Sequence, residues 1–196
     1  VLMNARTEMV VAARKQQAAK HFPDGCTAAL ALPEASADRV LLHGQNWDWK
    51  AECAETAIVL RVRRDDGPDF LTFVEAGGLA RCGMNAAGIC ITANYLESER
   101  DFSKPGVPLA LIRRKVLEQE HLAFAMKAVA TTPKACSNNM MLSTVKGFAI
   151  DFECAPDEAF PLYPADGLIV HANHWTSPVA LSKLSDTGIP RVPESF

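Results

Sequence analysis

The spacing of apolar and polar residues divides the chain into three stretches. Before residue 23, MNARTEMVVAARKQQAAKHF mixes Ala, Lys, Arg and Gln and favours helix, while its MVVAA run fits a strand equally well. From 26 to 96, segments rich in Val, Ile, Thr, Phe and Tyr predict strands: CTAALAL (26–32), RVLLHGQNWDW (39–49), TAIVLRVRR (56–64), DFLTFVEA (69–76) and GICITANYL (88–96). Turn residues such as DDGPD and GMNAAG separate them. After Pro105-Gly106 the period lengthens, and VPLALIRRKVLEQEHLAFAMKAVATT predicts one or two helices broken near Glu120-His121 and closed by Pro133. MMLSTVKGFAIDFEC (140–154) predicts a hairpin turning at Lys146-Gly147, and LIVHANHW (168–175) a further strand. Strands, then helices, then strands again predict an α+β sandwich of antiparallel sheets with helices outside. With no internal repeat or low-complexity linker, residues 1–196 read as a single domain.

Composition narrows the classes. Apolar residues make up 48% and charged residues 22%, as in a soluble globular chain. A net charge of -3 forces no basic face and argues against nucleic acid as the main partner. No run approaches the roughly 18 apolar residues that span a bilayer. Cysteines at 26, 53, 82, 90, 136 and 154 form no C-x-x-C pair, so neither a zinc ribbon nor a thioredoxin motif is signalled. Buried, reduced thiols and a cytoplasmic location are expected. No signal peptide is visible. The chain begins at Val1 and closes on the Pro-rich GIPRVPESF, and both ends are expected to be truncated.

Four stretches carry candidate chemistry. In HFPDGCTAAL, Cys26 sits where an Asp24-Gly25 turn hands over to a strand. That place suits a structural cysteine or an exposed reactive thiol, and a thiol needs activation to act as a nucleophile. The candidate bases for a Cys-His dyad are the histidines at 21, 43, 121, 171 and 174, with His171 or His43 as the partner in a hydrolase that never cleaves. Alternatively, cutting the Gly25–Cys26 bond gives Cys26 an α-amine of pKa roughly 7.7–8.0, placing nucleophile and base on one residue. In GQNWDW, Asp48 shares a strand face with Asn46, and a hydrogen-bonded carboxylate at a strand end is the plainer reading. In VHANHW, His171 and Asn173 share a face, and an Asn173 amide could donate to a developing oxyanion, worth roughly 3–4 kcal/mol. His171 and His174 lack the third ligand a metal requires. In EAGGLARCGMNAAG the glycines read as turns, since no βαβ unit surrounds them. Beyond it, Asn94 and Tyr95 close a strand, where their polar groups either line a pocket or cap the strand. Trp47, Trp49, Tyr95 and Trp175 form an apolar acyl pocket or plain core. No motif demands a metal or a bound cofactor.

In order along the chain, DGCTAAL, GQNWDW, EAGGLARCGMNAAGICI and VHANHW resemble the acyl-coenzyme A:isopenicillin N acyltransferase family of cysteine N-terminal-nucleophile hydrolases. The resemblance runs from NARTE at Asn4–Glu8 to the VHANHW strand and implies an αββα fold. It also implies a zymogen that cuts itself between Gly25 and Cys26, separating a 1–25 pro-segment from a 26–196 mature chain. Cys26 is then the nucleophile and its amine the proton shuttle, with Asp48 supporting both and Asn173 as the oxyanion asparagine. Asn94, or the Tyr95 backbone N–H, completes the oxyanion hole. The family's fungal type member has a serine where FAIDFECAP places Glu153 or Cys154, so no serine role carries over. An active-site arginine of the family falls past the end of this chain.

The resemblance implies partners that are small acyl amides or thioesters, coenzyme A thioesters among them as substrates, and the chain's own pro-segment, with no nucleic acid or membrane. The acyl group, its acceptor and the oligomeric state stay open. Three functions therefore compete: a self-cleaving amidase or acyltransferase, a Cys-His hydrolase that never cleaves, and a binding protein that kept the fold.

Overall fold

The computed structural model describes residues 2–5, 8, 9, 12, 13, 25–49 and 51–185. The predicted N-terminal helix or strand, His21, Asp24 and the GIPRVPESF tail therefore lie wholly or largely outside the described residues. Among the described residues, ten strands form two antiparallel sheets. The smaller sheet has the order β10-β1-β2, with β1 Cys26–Ala31, β2 Leu42–Trp47 and β10 Leu168–His171. The larger runs in sequence order from β3 Ala57–Val62, β4 Phe70–Glu75 and β5 Cys82–Asn85 to β6 Ile89–Tyr95, β7 Asn138–Thr144, β8 Phe148–Cys154 and β9 Ala159–Leu162.

The helical period after Pro105 yields two helices, α1 Leu109–Leu117 and α2 Leu122–Thr131, broken at the expected place. They bury Leu109, Ile112, Val116, Ala125 and Val129 against Ile91, Met140, Leu142, Ile150 and Phe152 of the larger sheet. Strand alternation then sends the intervening residues of β6, β7 and β8 to the opposite face, toward the smaller sheet. Every residue of β7 is therefore buried. At one end this inter-sheet layer is apolar, where Ala28, Leu30 and Ile169 meet Met141 and Ala149. At the other end it is polar, with Thr92, Asn94, Asn139, Asp151, Glu153 and His171 all buried.

The outer face of the smaller sheet is exposed at Thr27, Ala29, Leu42, Gly44, Asn46, Leu168 and Val170, so among the described residues helices cover the sandwich on one side only. A short α3, Pro178–Lys183, capped by Ser177, packs Ala180 against Leu96, Phe160 and Trp175 in a separate cluster. Two strands are additional to those the pattern predicts. β5 falls inside the stretch whose glycines read as turns, and β9 contains Pro161. The last predicted strand is also shorter than expected. It ends at His171, so Asn173, His174 and Trp175 belong to the following loop.

Candidate active site

The site forms at the polar end of the inter-sheet layer. Cys26 opens β1 and pairs across the sheet with Trp47, the last residue of β2. The chain continues past both strands and is closed there by Asp48, whose backbone N–H donates to the Gly25 carbonyl at 2.9 Å. The Asp48 side chain lies over the same residue, since a carbon added at Gly25 would sit 3.4 Å from Asp48 Oδ2. From the other side, Asn173 Oδ1 accepts the Cys26 backbone N–H at 2.5 Å. Asn173 in turn donates from Nδ2 to the Tyr95 carbonyl at 2.9 Å, which ties the loop after β10 to the end of β6. Gly25, Cys26, Asp48, Asn173 and the Tyr95 backbone thus meet around one peptide link. Asn46 does not join them; it pairs with Thr27 on the exposed outer face.

Asn94 has a different employment from the oxyanion role expected of it. It is fully buried, and its Nδ2 donates to the His171 carbonyl at 2.6 Å and the Ala172 carbonyl at 3.2 Å. Its Oδ1 accepts from Gln45 Nε2 at 2.8 Å. An amide nitrogen has two protons, and both are already directed at backbone oxygens. Asn94 therefore holds the Asn173 loop in place. Sequence reasoning missed Gln45, the β2 side of this link, because a glutamine on a half-exposed strand carries no chemical signal of its own.

The four aromatics separate into two environments. Trp47 and Trp49 stack with ring centroids 6.1 Å apart, and Phe73 meets Trp47 edge-on at 5.5 Å. The Arg81 guanidinium lies 5.2 Å from the Trp47 ring and 5.9 Å from Trp49 while pairing with Glu75 at 2.8 Å. Tyr95 lines a cavity with Val74, Glu75, Ala80 and Arg81, and its hydroxyl donates to Glu97 at 2.6 Å. Trp175 is placed elsewhere. It is 4% exposed, donates its indole N–H to the Glu97 carbonyl at 2.7 Å, and packs edge-on against Phe160, so it serves the core and not an acyl pocket.

Two of the described histidines named as candidate bases, His43 and His171, have both ring nitrogens bonded to other groups. His43 faces Leu30 across the β1–β2 ladder, four residues along from Cys26 or about 13 Å. Its ring bonds Ser143 Oγ at 2.8 Å and Thr92 Oγ1 at 2.9 Å, and burial pushes its pKa down from 6.5 to about 4. His171 Nε2 faces Glu153 Oε1 at 2.7 Å and its Nδ1 faces the Ala172 carbonyl at 2.7 Å. His121 precedes α2 in the helical layer. His174 stacks on His171 at 6.3 Å.

A cysteine heading an inner strand of two stacked antiparallel sheets is the layout of the N-terminal-nucleophile hydrolases, and solved structures of that fold superpose on this chain. A Caenorhabditis elegans N-acylethanolamine-hydrolyzing acid amidase ortholog matches with a TM-score of 0.62 and 16% identity, over 76% of this chain and 70% of that one. A mutant of the conjugated bile acid hydrolase from Clostridium perfringens matches with a TM-score of 0.55 and 14% identity, over 81% of this chain and 56% of that one. The protein has the N-terminal-nucleophile hydrolase fold.

Its family is narrower. Residues 35–189 match the acyl-coenzyme A:6-aminopenicillanic acid acyl-transferase family, and the chain belongs to it. It is 26% identical over 175 residues to the 40 kDa form of acyl-coenzyme A:6-aminopenicillanic-acid-acyltransferase from Emericella nidulans, covering 89% of this chain and 46% of that protein. The chain thus spans about half the length of that curated relative. No helix among the described residues is long and apolar enough to cross a membrane.

Proposed function

We propose that the protein is a self-cleaving amidase or acyltransferase that carries an acyl group on Cys26. The observation that carries this reading is the polar frame around a single peptide link. Asp48 N–H is on the Gly25 carbonyl oxygen at 2.9 Å, and Asn173 Oδ1 is on the Cys26 nitrogen at 2.5 Å. A donor on that oxygen stabilises the negative charge that develops when a nucleophile adds to the carbonyl carbon. The thiol of Cys26, the residue that follows this carbonyl, is the proposed nucleophile. Its sulfur bonds the Gly25 carbonyl carbon, the Gly25–Cys26 C–N bond breaks, and the thiol proton passes to the departing nitrogen. Water then hydrolyses the thioester, leaving a Gly25 carboxylate and a Cys26 α-amine and thiol.

The freed amine keeps the Asn173 Oδ1 contact and takes the thiol proton when Cys26 attacks an external acyl amide or thioester. The proton leaves with the amine or thiol group, and water or an amine then accepts the acyl group and restores the thiol. Splitting the reaction through a thioester replaces one hard step by two easier ones. Asn173 has one amide proton on the Tyr95 carbonyl, and the other is the candidate donor to the oxyanion. The Trp47–Trp49 stack beside Cys26, backed by Arg81, is the proposed surface for the acyl group. Residues 1–25 are the proposed pro-segment. Asn4 and Glu8 accept the backbone N–H groups of Leu79 and Leu109 at 2.7 and 2.8 Å, which supports their staying bound after the cut.

Incubating the protein with an activated acyl thioester and then digesting it tests the acyl step. The peptide that begins at Cys26 is expected to gain the acyl mass, and Cys26→Ala to gain none. Equal acylation of wild type and Cys26→Ala would dismiss the reading.

A further inference from the structure

Away from Cys26, the polar layer holds a buried acid and a buried histidine that the reaction above does not use. Glu153 and His171 are 0% and 2% exposed, and they bridge the two sheets from β8 to β10. Glu153 Oε1 receives His171 Nε2 at 2.7 Å, the Thr176 backbone N–H at 2.6 Å and the Thr176 hydroxyl at 2.8 Å. Its Oε2 receives the Ser177 backbone N–H at 3.0 Å. One carboxylate therefore gathers the chain on both sides of Asn173, at residue 171 before it and residues 176–177 after it.

The His171 ring has an acceptor at each nitrogen, a carboxylate oxygen and the Ala172 carbonyl. A carbonyl cannot donate, and the carboxylate is already filled by donors, so both ring nitrogens carry protons. The loop from 171 to 177 is thus cinched by an imidazolium–carboxylate pair. Asn94 holds its entry through the His171 and Ala172 carbonyls.

We propose that Glu153 and His171 are positioning residues that fix Asn173 for its oxyanion contact. This rests on the role given above to Cys26 and Asn173. The charge balance agrees with the geometry. Burial alone would push the His171 pKa down, but the hydrogen bond to Glu153 and the charges of Asp151 and Glu153 outweigh it, and the pKa lies above 6.5. Burial pushes Glu153 up, and its bonds from His171 and Thr176 bring it below the ordinary carboxylate value. The titratable groups facing His171 are Glu153 and Asp151 on β8 and His174 on its own loop.

The test is a kinetic cycle of Glu153→Gln, Asn173→Ala and the double variant, with turnover of an activated acyl substrate measured against pH. A misaligned oxyanion donor costs transition-state and not ground-state binding. Glu153→Gln is therefore expected to lower kcat by about 10- to 100-fold with little change in KM. Added to Asn173→Ala, it is expected to cost nothing further. In the wild type kcat is expected to fall at alkaline pH as His171 loses its proton, and in Glu153→Gln that fall is expected at lower pH, since the group that holds the proton is weakened. Thr176→Val removes one donor to the same carboxylate and is expected to show a smaller kcat loss of the same kind, which keeps the test valid if Glu153→Gln does not fold. Multiplicative losses in the cycle, or full kcat in a folded Glu153→Gln or Thr176→Val protein, would overturn the positioning role. Acylation of Cys26 in the wild type separates the two failures, because its absence refutes the proposed reaction and its presence leaves only the positioning role refuted.

Discussion

His43 stores a pH dependence that can be isolated. Its ring sits between the sheets, bonded to Ser143 and Thr92, and burial holds its pKa near 4 in place of 6.5. The unfolded chain therefore binds this proton more readily than the folded one. The neutral ring's contribution is complete above pH 6.5, declines as pH falls from there, and is fully lost at about pH 4. The gap between 6.5 and about 4 corresponds to about 3 kcal/mol. His43→Gln keeps a donor and an acceptor at the site but has no proton to gain. Urea unfolding of both proteins at pH 7 and pH 4 gives the relevant difference. The stability of wild type relative to His43→Gln is expected to drop by about 3 kcal/mol across that interval. Parallel pH curves for the two proteins would show that the ring is not held neutral, and the account of its burial between the sheets would fail.

Asp151 works in the opposite sense over the same range. Burial raises its pKa from 3.8 to about 6, so its ionised form costs up to about 3 kcal/mol as pH rises through that interval. Asp151→Asn is expected to be progressively more stable than wild type from pH 4 to pH 7 by urea unfolding, and an unchanged difference would contradict the burial of that charge. Asn94→Ala removes the side-chain donor to two carbonyls and one of the two acceptors of the Gln45 amide, and a loss of about 3 kcal/mol in urea unfolding is expected, with weaker acylation of Cys26 in protein that still folds. Wild-type stability would count against that description of Asn94. Trp47→Ala is expected to raise KM for acyl substrates bearing bulky apolar groups more than for an acetyl substrate, measured as paired KM values. Equal increases would remove the Trp47–Trp49 stack as the acyl surface.

Much of the fold was legible because strand and helix periods differ. The break between α1 and α2, the β7–β8 turn at Gly147 with φ 82°, and most strands fall where the residues place them. β5 was hidden because CGMN is short and lies among glycines, and β9 because Pro161 marks an edge strand as a breaker. Cys26, Asp48 and Asn173, which the sequence motifs single out, come together around one peptide link. Their support was not legible. On β6 and β8, Thr92, Asn94, Asp151 and Glu153 alternate with apolar neighbours, which reads as a half-buried strand with its polar side in water. Alternation shows that two faces differ, but not that a second sheet covers the polar one. The open choice at Trp175 has the same origin, since whether an aromatic faces core or cavity is set by packing from Phe160 and Leu96, which are distant in sequence.

The most direct test is the intact mass of the purified, denatured protein beside Cys26→Ala. Wild type is expected to give two chains, residues 1–25 and 26–196, and Cys26→Ala a single chain of 21.3 kDa. A wild-type protein that transfers or hydrolyses acyl groups while remaining one 21.3 kDa chain would contradict the account.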